Sequence, residues 1–157
     1  LKLAWVGHGN NVFNDLLIAC MKTGIFVTGA FPRGYEPPSF VLELAKAASF
    51  PEQPAFKITN EPTKAVKDAD IIATDTFISI GTEDERDIRK KIFLPKFQIN
   101  SALMRLAKPD SIFMHCLPAK RGEEVTDEVL DGSSSVVWDE AENRLHIQKA
   151  ILETLVM

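Results

Sequence analysis

Cysteine and long apolar runs are scarce in this sequence, and each scarcity excludes a class of protein. The 157 residues include two cysteines, Cys20 and Cys116, which are too few for a disulfide framework. Their spacing also matches no metal-binding motif, so no metal site is expected. No apolar stretch reaches the ~20 residues that a helix needs to cross a bilayer, so we expect no membrane partner.

A surplus of positive charge is also missing. The chain carries 18 Lys and Arg against 22 Asp and Glu, which gives a formal net charge of −4. No basic stripe with interleaved aromatic residues occurs, so we expect no nucleic-acid partner. With 45% hydrophobic and 25% charged residues, the composition is that of a globular domain. The sequence opens at Leu1 inside a strand-like run without an initiator Met, and we therefore expect a piece of a longer protein.

Apolar runs typical of strands alternate with helical patterns along the chain. Strands are predicted at Lys2–Val6, Ile25–Ala30, Phe56–Thr59, Asp70–Thr74, Ser111–His115 and Val136–Trp138. Helices are predicted at Val12–Lys22, Ser39–Ser49, Pro62–Val66, Glu83–Phe93, Ser101–Ala107 and Glu140–Leu155. Asn100 is the expected N-cap of the helix at Ser101, and the charged run Glu83–Lys91 is expected to be a solvated helix face. The alternation predicts a single α/β domain over residues 1–157, a three-layer, doubly wound parallel sheet of the Rossmann-like kind.

The first strand leads into Gly7-His8-Gly9, where a dinucleotide-binding loop would begin. The third glycine position of that fingerprint holds Val12, and no acidic residue ends the second strand, where Thr28–Phe31 lie. Both absences argue against a nicotinamide cofactor, and no other cofactor is expected. Asn10 is expected to cap the following helix. A helix N-terminus favours carboxylates and phosphates, and Asn11 is expected to reach a ligand there because the acidic motif at Asp75 supplies a partner charge.

Two further strands end in residues that carry chemistry. Asp75 follows the fourth strand, near the point where the strand order should reverse, and suits an ammonium group; a turn or cap role is the alternative. Ser79 and the amides before Gly81 suit the other end of a small zwitterion. His115 and Cys116 end the fifth strand, and their alternatives are a structural histidine and an inert, buried thiol.

Four segments of the chain resemble ornithine carbamoyltransferases in their order and spacing. They are Trp5–Asn11, Asp75–Gly81, His115–Pro118 and Glu140–Arg144. Aspartate carbamoyltransferases would be expected to carry His-Pro-Leu-Pro where this chain has His-Cys-Leu-Pro. The chain therefore looks like the C-terminal, ornithine-binding domain of an ornithine carbamoyltransferase. The resemblance implies that the carbamoyl-phosphate-binding domain, which normally precedes it, is absent from this chain.

The resemblance also assigns roles to residues at matching positions. Asn11 and Asp75 would hold the α-amino and α-carboxylate groups of L-ornithine, with Ser79 and Ile80 completing the contact. Cys116 and Asp75 would be the catalytic residues, which lie beside the side-chain amine and help to deliver it uncharged. The residues implied to orient carbamoyl phosphate are Cys116, Leu117 and Arg144.

The implied reaction transfers the carbamoyl group of carbamoyl phosphate to the ornithine side-chain amine and yields citrulline and phosphate. The segment Asp75–Gly81 would close as a lid when ornithine binds. The guanidinium of Arg144 would stabilise charge on the carbamoyl oxygen, although from the sequence it could equally pair with Glu140 or Glu142. The resemblance further implies a homotrimeric parent, in the cytoplasm or, for a eukaryotic parent, in the mitochondrial matrix.

Three residues depart from those frequent in the family. His8 replaces Asp, Phe77 replaces Trp and Ile80 replaces Met. The last two lie in the lid, so a carbamoyltransferase for another amine, such as putrescine or a blocked ornithine, is one alternative. A non-catalytic, Rossmann-like amino-acid-binding module is another, and it should bind its ligand tightly without a partner domain.

Overall fold

The computed structural model describes residues 1–49, 56–79 and 81–156. Within these residues the strands are β1 Lys2–Val6, β2 Phe26–Ala30, β3 Phe56–Thr59, β4 Ile71–Thr74 and β5 Ile112–His115. The α-helices are α1 Asn11–Thr23, α2 Ser39–Ala48, α3 Pro62–Val66, α4 Arg86–Phe93, α5 Ser101–Met104, α6 Asp127–Leu130 and α7 Val137–Val156. Among the described residues, no helix combines the length and the apolar character that crossing a membrane requires.

The strands form a parallel sheet in the order β3-β2-β1-β4-β5. The chain runs from β1 outward to β2 and β3, and then returns to the other side of β1 for β4 and β5. The strand order therefore reverses between β1 and β4, which pair through Ala4 and Ile72. Loops that leave two such strands diverge to opposite faces and open a crevice at the carboxyl edge, where parallel sheets bind ligands.

Both faces of the sheet are covered, as alternation along β1 demonstrates. Leu3 and Trp5 pack with Phe13 in a buried cluster beneath α1 and α2. Ala4 and Val6 point to the opposite face, into a second cluster that also contains buried residues of α3 to α6 and of the start of α7. A strand that is buried on both faces is typical of doubly wound sheets. The predicted α/β architecture is therefore confirmed.

The predicted strand Val136–Trp138 is wrong, because α7 already begins at Val137. The backbone N–H of Val136 still donates to the carbonyl of Phe113 in β5 at 3.0 Å, so the segment touches the sheet for one residue. Asp139 and Glu140 follow directly, and acidic residues in a first turn stabilise a helix N-terminus. A run of three strand-forming residues is too short to outweigh this signal.

The remaining differences concern short helices. The predicted helix Ser101–Ala107 ends three residues early, although Asn100 caps it as expected by accepting the N–H of Leu103 at 3.0 Å. Helix α6 was not predicted, since four residues, Asp127–Leu130, offer too little sequence for a helical period. Other boundaries agree within a few residues.

Helix α7 extends away from the domain as an exposed rod. Every residue from Ala141 to Val156 is exposed. The exposed fractions of Leu145, Ile151 and Leu155 are 60%, 50% and 76%. An amphipathic helix in a globular protein normally buries its apolar side chains, and contiguous exposed ones mark interaction surfaces. The apolar residues of α7 therefore form a candidate contact surface.

Gly9 lies where the loop after β1 passes close to the backbone of Tyr35 and Pro37. Its N–H donates to the carbonyl of Tyr35 at 2.8 Å. A Cβ at this position would lie 2.3 Å from the Pro37 nitrogen, so only glycine fits without a backbone shift. This close approach fixes the path that brings Asn10 to the crevice.

We predict that Gly9→Ala lowers the free energy of unfolding by about 2–3 kcal/mol, because the added methyl group meets backbone that cannot move away locally. Urea denaturation followed by circular dichroism measures this loss. Gly34→Ala is the matched control: its φ is +85° but nothing lies within 4 Å of the added Cβ. Strain alone should cost about 1 kcal/mol there. A loss at Gly9 no larger than that at Gly34 would contradict the prediction.

Candidate functional site

A buried carboxylate joins the ends of three strands at the crevice. Asp75, which follows β4, is 8% exposed. Its Oδ2 accepts the side-chain amide of Asn10, after β1, at 2.6 Å. Its Oδ1 accepts the backbone N–H of Thr76 at 2.7 Å and the thiol of Cys116, after β5, at 3.4 Å. These three donors fix the orientation of the Asp75 carboxylate.

Asn10 and Asn11 divide the roles at the start of α1. Asn10 caps the helix as predicted, because its Oδ1 accepts the N–H of Phe13 at 3.1 Å. Asn11 was paired with Asp75 as a ligand-binding group, and Asn10 was expected only as a cap; in the structure the side-chain amide of Asn10 also donates to Asp75. Asn11 is the exposed first residue of α1, so its side chain is free to meet a ligand at the helix N-terminus.

Cys116 is half-buried and carries a protonated thiol. Burial raises its pKa to about 12, and the charge of Asp75 and the hydrogen bond to it act in the same direction. The thiolate is the nucleophilic form of cysteine, so this side chain is not an activated nucleophile near neutral pH. It acts as a hydrogen-bond donor to Asp75 instead.

His115 is fully engaged in structural hydrogen bonds. Its Nδ1 accepts the backbone N–H of Leu117 at 2.9 Å, so Nε2 carries the ring proton. That nitrogen lies 3.1 Å from Oε1 of Glu124, and both side chains are completely buried. Leu117 has a φ of +56°, a left-handed conformation that is costly for a leucine. The paired His115 and Glu124 therefore help to hold the backbone after Cys116 in this conformation.

The first turns of α7 contribute Glu140 and Arg144 to the same region. Oε2 of Glu140 accepts the backbone N–H of His115 at 2.9 Å, and burial raises the pKa of this carboxyl group. Arg144 is exposed and makes no ion pair with a carboxylate of the described residues. Of its two suggested partners, Glu142 lies 3.6 Å from Nε2 of His146, and Glu140 bonds to His115. The guanidinium is thus free for a ligand.

The segment from Asp75 to Gly81 is anchored by an aromatic side chain that points inward. Phe77 is 1% exposed and stacks on Phe93 of α4, with ring centroids 4.5 Å apart. Ser79 is partly exposed, and its carbonyl accepts the N–H and hydroxyl of Thr82 at 3.1 and 2.9 Å. Ile80, a predicted ligand residue, lies outside the described residues. The departure from Trp at Phe77 therefore concerns packing beneath the segment.

Arg89 holds the backbone of the loop after β4, and this role was not predicted from the sequence. It was placed on a solvated helix face, but it is 6% exposed and its guanidinium lies 5.1 Å from the ring of Tyr35. It donates to the carbonyl of Phe77 at 3.1 Å and to Glu85 at 2.7 Å. His8 lies 3.4 Å from it, and burial and this positive charge lower the pKa of His8. The sequence does hold one signal for this burial: Phe93 lies one turn after Arg89 on the same face of α4, and an apolar residue there indicates a buried face.

Asp75, His115 and Cys116 also present one possible metal-ligand atom each, all within 4.8 Å of one another. Both ring nitrogens of His115 already take part in hydrogen bonds, and the raised pKa of Cys116 disfavours the thiolate that a metal requires. The cluster is therefore better suited to binding through hydrogen bonds. At the edge of this Rossmann-like sheet, a carboxylate, an exposed asparagine at a helix N-terminus and an arginine without an ion pair to the described residues provide groups suited to a small, charged ligand.

Comparison with known proteins gives the family. Residues 1–155 match the family model described as "Aspartate/ornithine carbamoyltransferase, Asp/Orn binding domain". The chain belongs to this family. The ornithine carbamoyltransferase of Pyrococcus abyssi is 53% identical over 156 residues, which cover 99% of this chain and 49% of the relative. The anabolic enzyme of Pyrococcus furiosus is 54% identical over 157 residues, 100% of this chain and 49% of that relative.

Solved structures agree with this assignment. The ornithine carbamoyltransferase structure from Pyrococcus furiosus has a TM-score of 0.87 at 52% identity, covering 97% of this chain and 48% of that one. An N-acetyl-L-ornithine transcarbamylase variant complexed with PALAO has a TM-score of 0.81 at 29% identity, covering 99% of this chain and 48% of that one. The chain therefore spans about half the length of the relatives that it matches.

We predict that iodoacetamide alkylates Cys116 at least ~10-fold more slowly at pH 8 than a free thiol with the ordinary pKa of about 8.5. The raised pKa leaves little thiolate, and the rate should keep rising through pH 10. A Cys20→Ser background leaves Cys116 as the remaining thiol, and mass spectrometry measures the rate. Adding Asp75→Asn should accelerate the reaction. A rate that equals the free thiol, or is constant from pH 7 to 10, would contradict this.

Proposed function

We propose that this chain is the ornithine-binding half of an ornithine carbamoyltransferase. The complete enzyme would transfer the carbamoyl group of carbamoyl phosphate to the side-chain amine of L-ornithine, giving citrulline and phosphate. The observation that carries the proposal is the fixed carboxylate of Asp75 at the switch point of the sheet, in a chain that matches the Asp/Orn binding domain over residues 1–155. A role in arginine biosynthesis is part of the proposal, and one relative is named as the anabolic enzyme.

Ornithine would bind with its charged end across the crevice. Asp75 would accept hydrogen bonds from the α-ammonium group, and Asn11 would meet the α-carboxylate at the N-terminus of α1, where backbone N–H groups favour anions. Ser79, with its hydroxyl free of hydrogen bonds to the described residues, and Ile80 would complete the contact when the lid from Asp75 to Gly81 closes. The buried Phe77–Phe93 stack would anchor the base of this lid.

The side-chain amine must lose its proton before it can attack the carbamoyl carbon. Near neutral pH an ammonium with an ordinary pKa has no free electron pair, so the site has to favour the neutral form. Cys116 would lie beside this amine as a neutral thiol, which adds no negative charge that would hold the proton on the nitrogen. Cys116 and Asp75 would thus act by positioning the amine, without a covalent thioester.

Carbamoyl phosphate would be oriented by the backbone of Cys116 and Leu117 and by the guanidinium of Arg144. The left-handed backbone at Leu117 and the exposed guanidinium of Arg144, which forms no ion pair with the residues that the structure describes, support this assignment. A positive group aimed at the carbamoyl oxygen would stabilise the charge that develops there in the transition state. Most contacts to the phosphate would come from the other half of the enzyme.

The partner that we propose for the exposed surface of α7 is the carbamoyl-phosphate-binding domain. Three observations support it: the chain spans about half of its relatives, Arg144 lies on α7, and the apolar residues of that helix are exposed. The proposal includes a homotrimeric parent. It also includes a location in the cytoplasm, or in the mitochondrial matrix for a eukaryotic parent.

A blocked ornithine is the second candidate acceptor. One structural neighbour, at 29% identity, is an N-acetyl-L-ornithine transcarbamylase. The inward position of Phe77 weakens the argument for altered specificity at that residue, since its side chain does not line the crevice. Putrescine lacks the α-carboxylate that Asn11 is proposed to meet. A non-catalytic amino-acid-binding module would differ from all of these by tight binding without a second domain.

We predict that L-ornithine binds this chain with a millimolar Kd, with saturable amide NMR shifts confined to Asn11, Asp75–Gly81 and Cys116–Leu117. Asp75→Asn should weaken binding about tenfold, because it removes a charged hydrogen-bond acceptor. Asp84→Asn, which changes an exposed acid beside the lid, is the control and should leave the Kd unchanged.

Putrescine and NADH should cause no such shifts. A response to acetylornithine or putrescine in place of ornithine would transfer the proposal to that amine, and micromolar ornithine binding would favour the non-catalytic module.

We predict that the chain alone produces no citrulline from ornithine and carbamoyl phosphate. The same chain fused behind the carbamoyl-phosphate-binding half of the Pyrococcus furiosus relative should produce it, because the fusion completes the site. Colorimetric citrulline detection measures both, and the relative's half without this chain is the control. Citrulline from the chain alone, or a folded fusion that binds both substrates and produces none, would contradict the proposed function.

A further inference from the structure

Within the part of the chain that the structure describes, Glu140 is the last residue of α7 that forms a hydrogen bond to the rest of the domain. Its carboxylate accepts the N–H of His115 at 2.9 Å. Among the described residues, the side-chain hydrogen bonds and ion pairs beyond it stay within the helix: Glu142 with His146, and Thr154 with the carbonyl of Ala150. Every described residue after Glu140 is also exposed. The orientation of helix α7 relative to the domain therefore depends on the contacts of its first turn.

The hydrogen bond between Glu140 and His115 is well placed to set the position of Arg144 relative to Cys116. The acceptor, Glu140, lies on α7 four residues before Arg144. The side chains of Glu140 and Arg144 therefore share one face of the helix and lie about 6 Å apart along its axis. The donor is the backbone N–H of His115, which directly precedes Cys116. A single hydrogen bond thus joins the two pieces of chain that are proposed to orient carbamoyl phosphate.

The surroundings strengthen this bond. Glu140 is partly buried, and a charged acceptor in a partly dry environment forms a stronger hydrogen bond than a neutral one. The neighbouring contacts are backbone bonds of Phe113 with Ser134 and Val136, at 2.8 and 3.0 Å, which hold the chain just before α7. Those bonds fix where the helix starts, whereas the Glu140 bond also fixes its rotation relative to the end of β5.

We propose that Glu140 is a positioning residue, which locks the helix carrying Arg144 to the backbone carrying Cys116 and Leu117 so that together they orient the carbamoyl group. This inference rests on the proposed function. It assigns to Glu140 no contact with either substrate. Loss of the hydrogen bond between Glu140 and His115 should therefore weaken the binding of carbamoyl phosphate. The proposed ornithine contacts at Asp75 and Asn11 should stay in place.

The first experiment uses the 157-residue chain itself and measures the exchange of the His115 amide proton, together with ¹⁵N relaxation of residues 141–150. Glu140→Ala should accelerate the exchange at least ~10-fold, the factor expected for a lost hydrogen bond to a charged group, and increase the mobility of the helix. Glu140→Gln retains a carbonyl oxygen and should restore most of the protection. The control Glu142→Ala removes an exposed acid two residues away and should change neither quantity. Unchanged exchange in Glu140→Ala would overturn the inference.

The second experiment measures steady-state kinetics in the fusion with the carbamoyl-phosphate-binding half. Glu140→Ala should raise the KM for carbamoyl phosphate about tenfold and change the KM for ornithine by less than about twofold, with Glu140→Gln close to the unchanged fusion. If Glu140→Ala does not fold, the Gln variant and Glu140→Asp, whose shorter side chain should not span the distance, replace it. Equal effects on both substrates, or none, would overturn the inference alone. If the fusion without any substitution produced no citrulline, that result would instead contradict the proposed function.

Discussion

The carboxylate of Asp75 is the constraint on which the rest of the site depends. It accepts hydrogen bonds from the residue that caps α1 after β1, from the backbone of its own loop and from the thiol that follows β5. Three strand ends are thereby held at fixed separations around one buried charge. Parallel strands bring their carboxyl ends to one edge, but it is the hydrogen bonds to this carboxylate that give the edge a defined geometry.

The electrostatic arrangement explains why a cysteine follows β5. A thiolate beside Asp75 would place two negative charges together, and burial with that neighbour raises the pKa of Cys116 until it stays neutral. A neutral thiol can donate to the carboxylate and still contact an amine without stabilising its proton. His115 plays a complementary role, because both of its ring nitrogens take part in hydrogen bonds, to Glu124 and to the backbone N–H of Leu117, and these bonds shape the backbone after Cys116.

The sequence predicted most of the fold, because alternating buried strands and amphipathic helices leave strong periodic signals. It located the acidic loop and the His-Cys segment for the same reason: both directly follow apolar strands. What it missed depends on three-dimensional pairing. Asn10, predicted only as a cap, also contacts Asp75, and Arg89, within a highly charged run, is buried against an aromatic ring and a backbone carbonyl. Neighbouring asparagines and mixed charges carry no local signal that separates such roles.

Helix α7 connects the site with the surface that the domain leaves uncovered. Its first turn is hydrogen-bonded to the end of β5, its second turn carries the exposed guanidinium of Arg144, and its later turns expose apolar side chains. A surface that buries those side chains would also restrict the direction of Arg144, because an α-helix transmits a fixed orientation along its length. Assembly with a second domain and completion of the carbamoyl-binding groups would then be one event. In the proposed enzyme, this half would therefore be inactive alone for a geometric reason: the Glu140 bond sets the start of α7, but only contact with the second domain would restrict the direction of the Arg144 guanidinium.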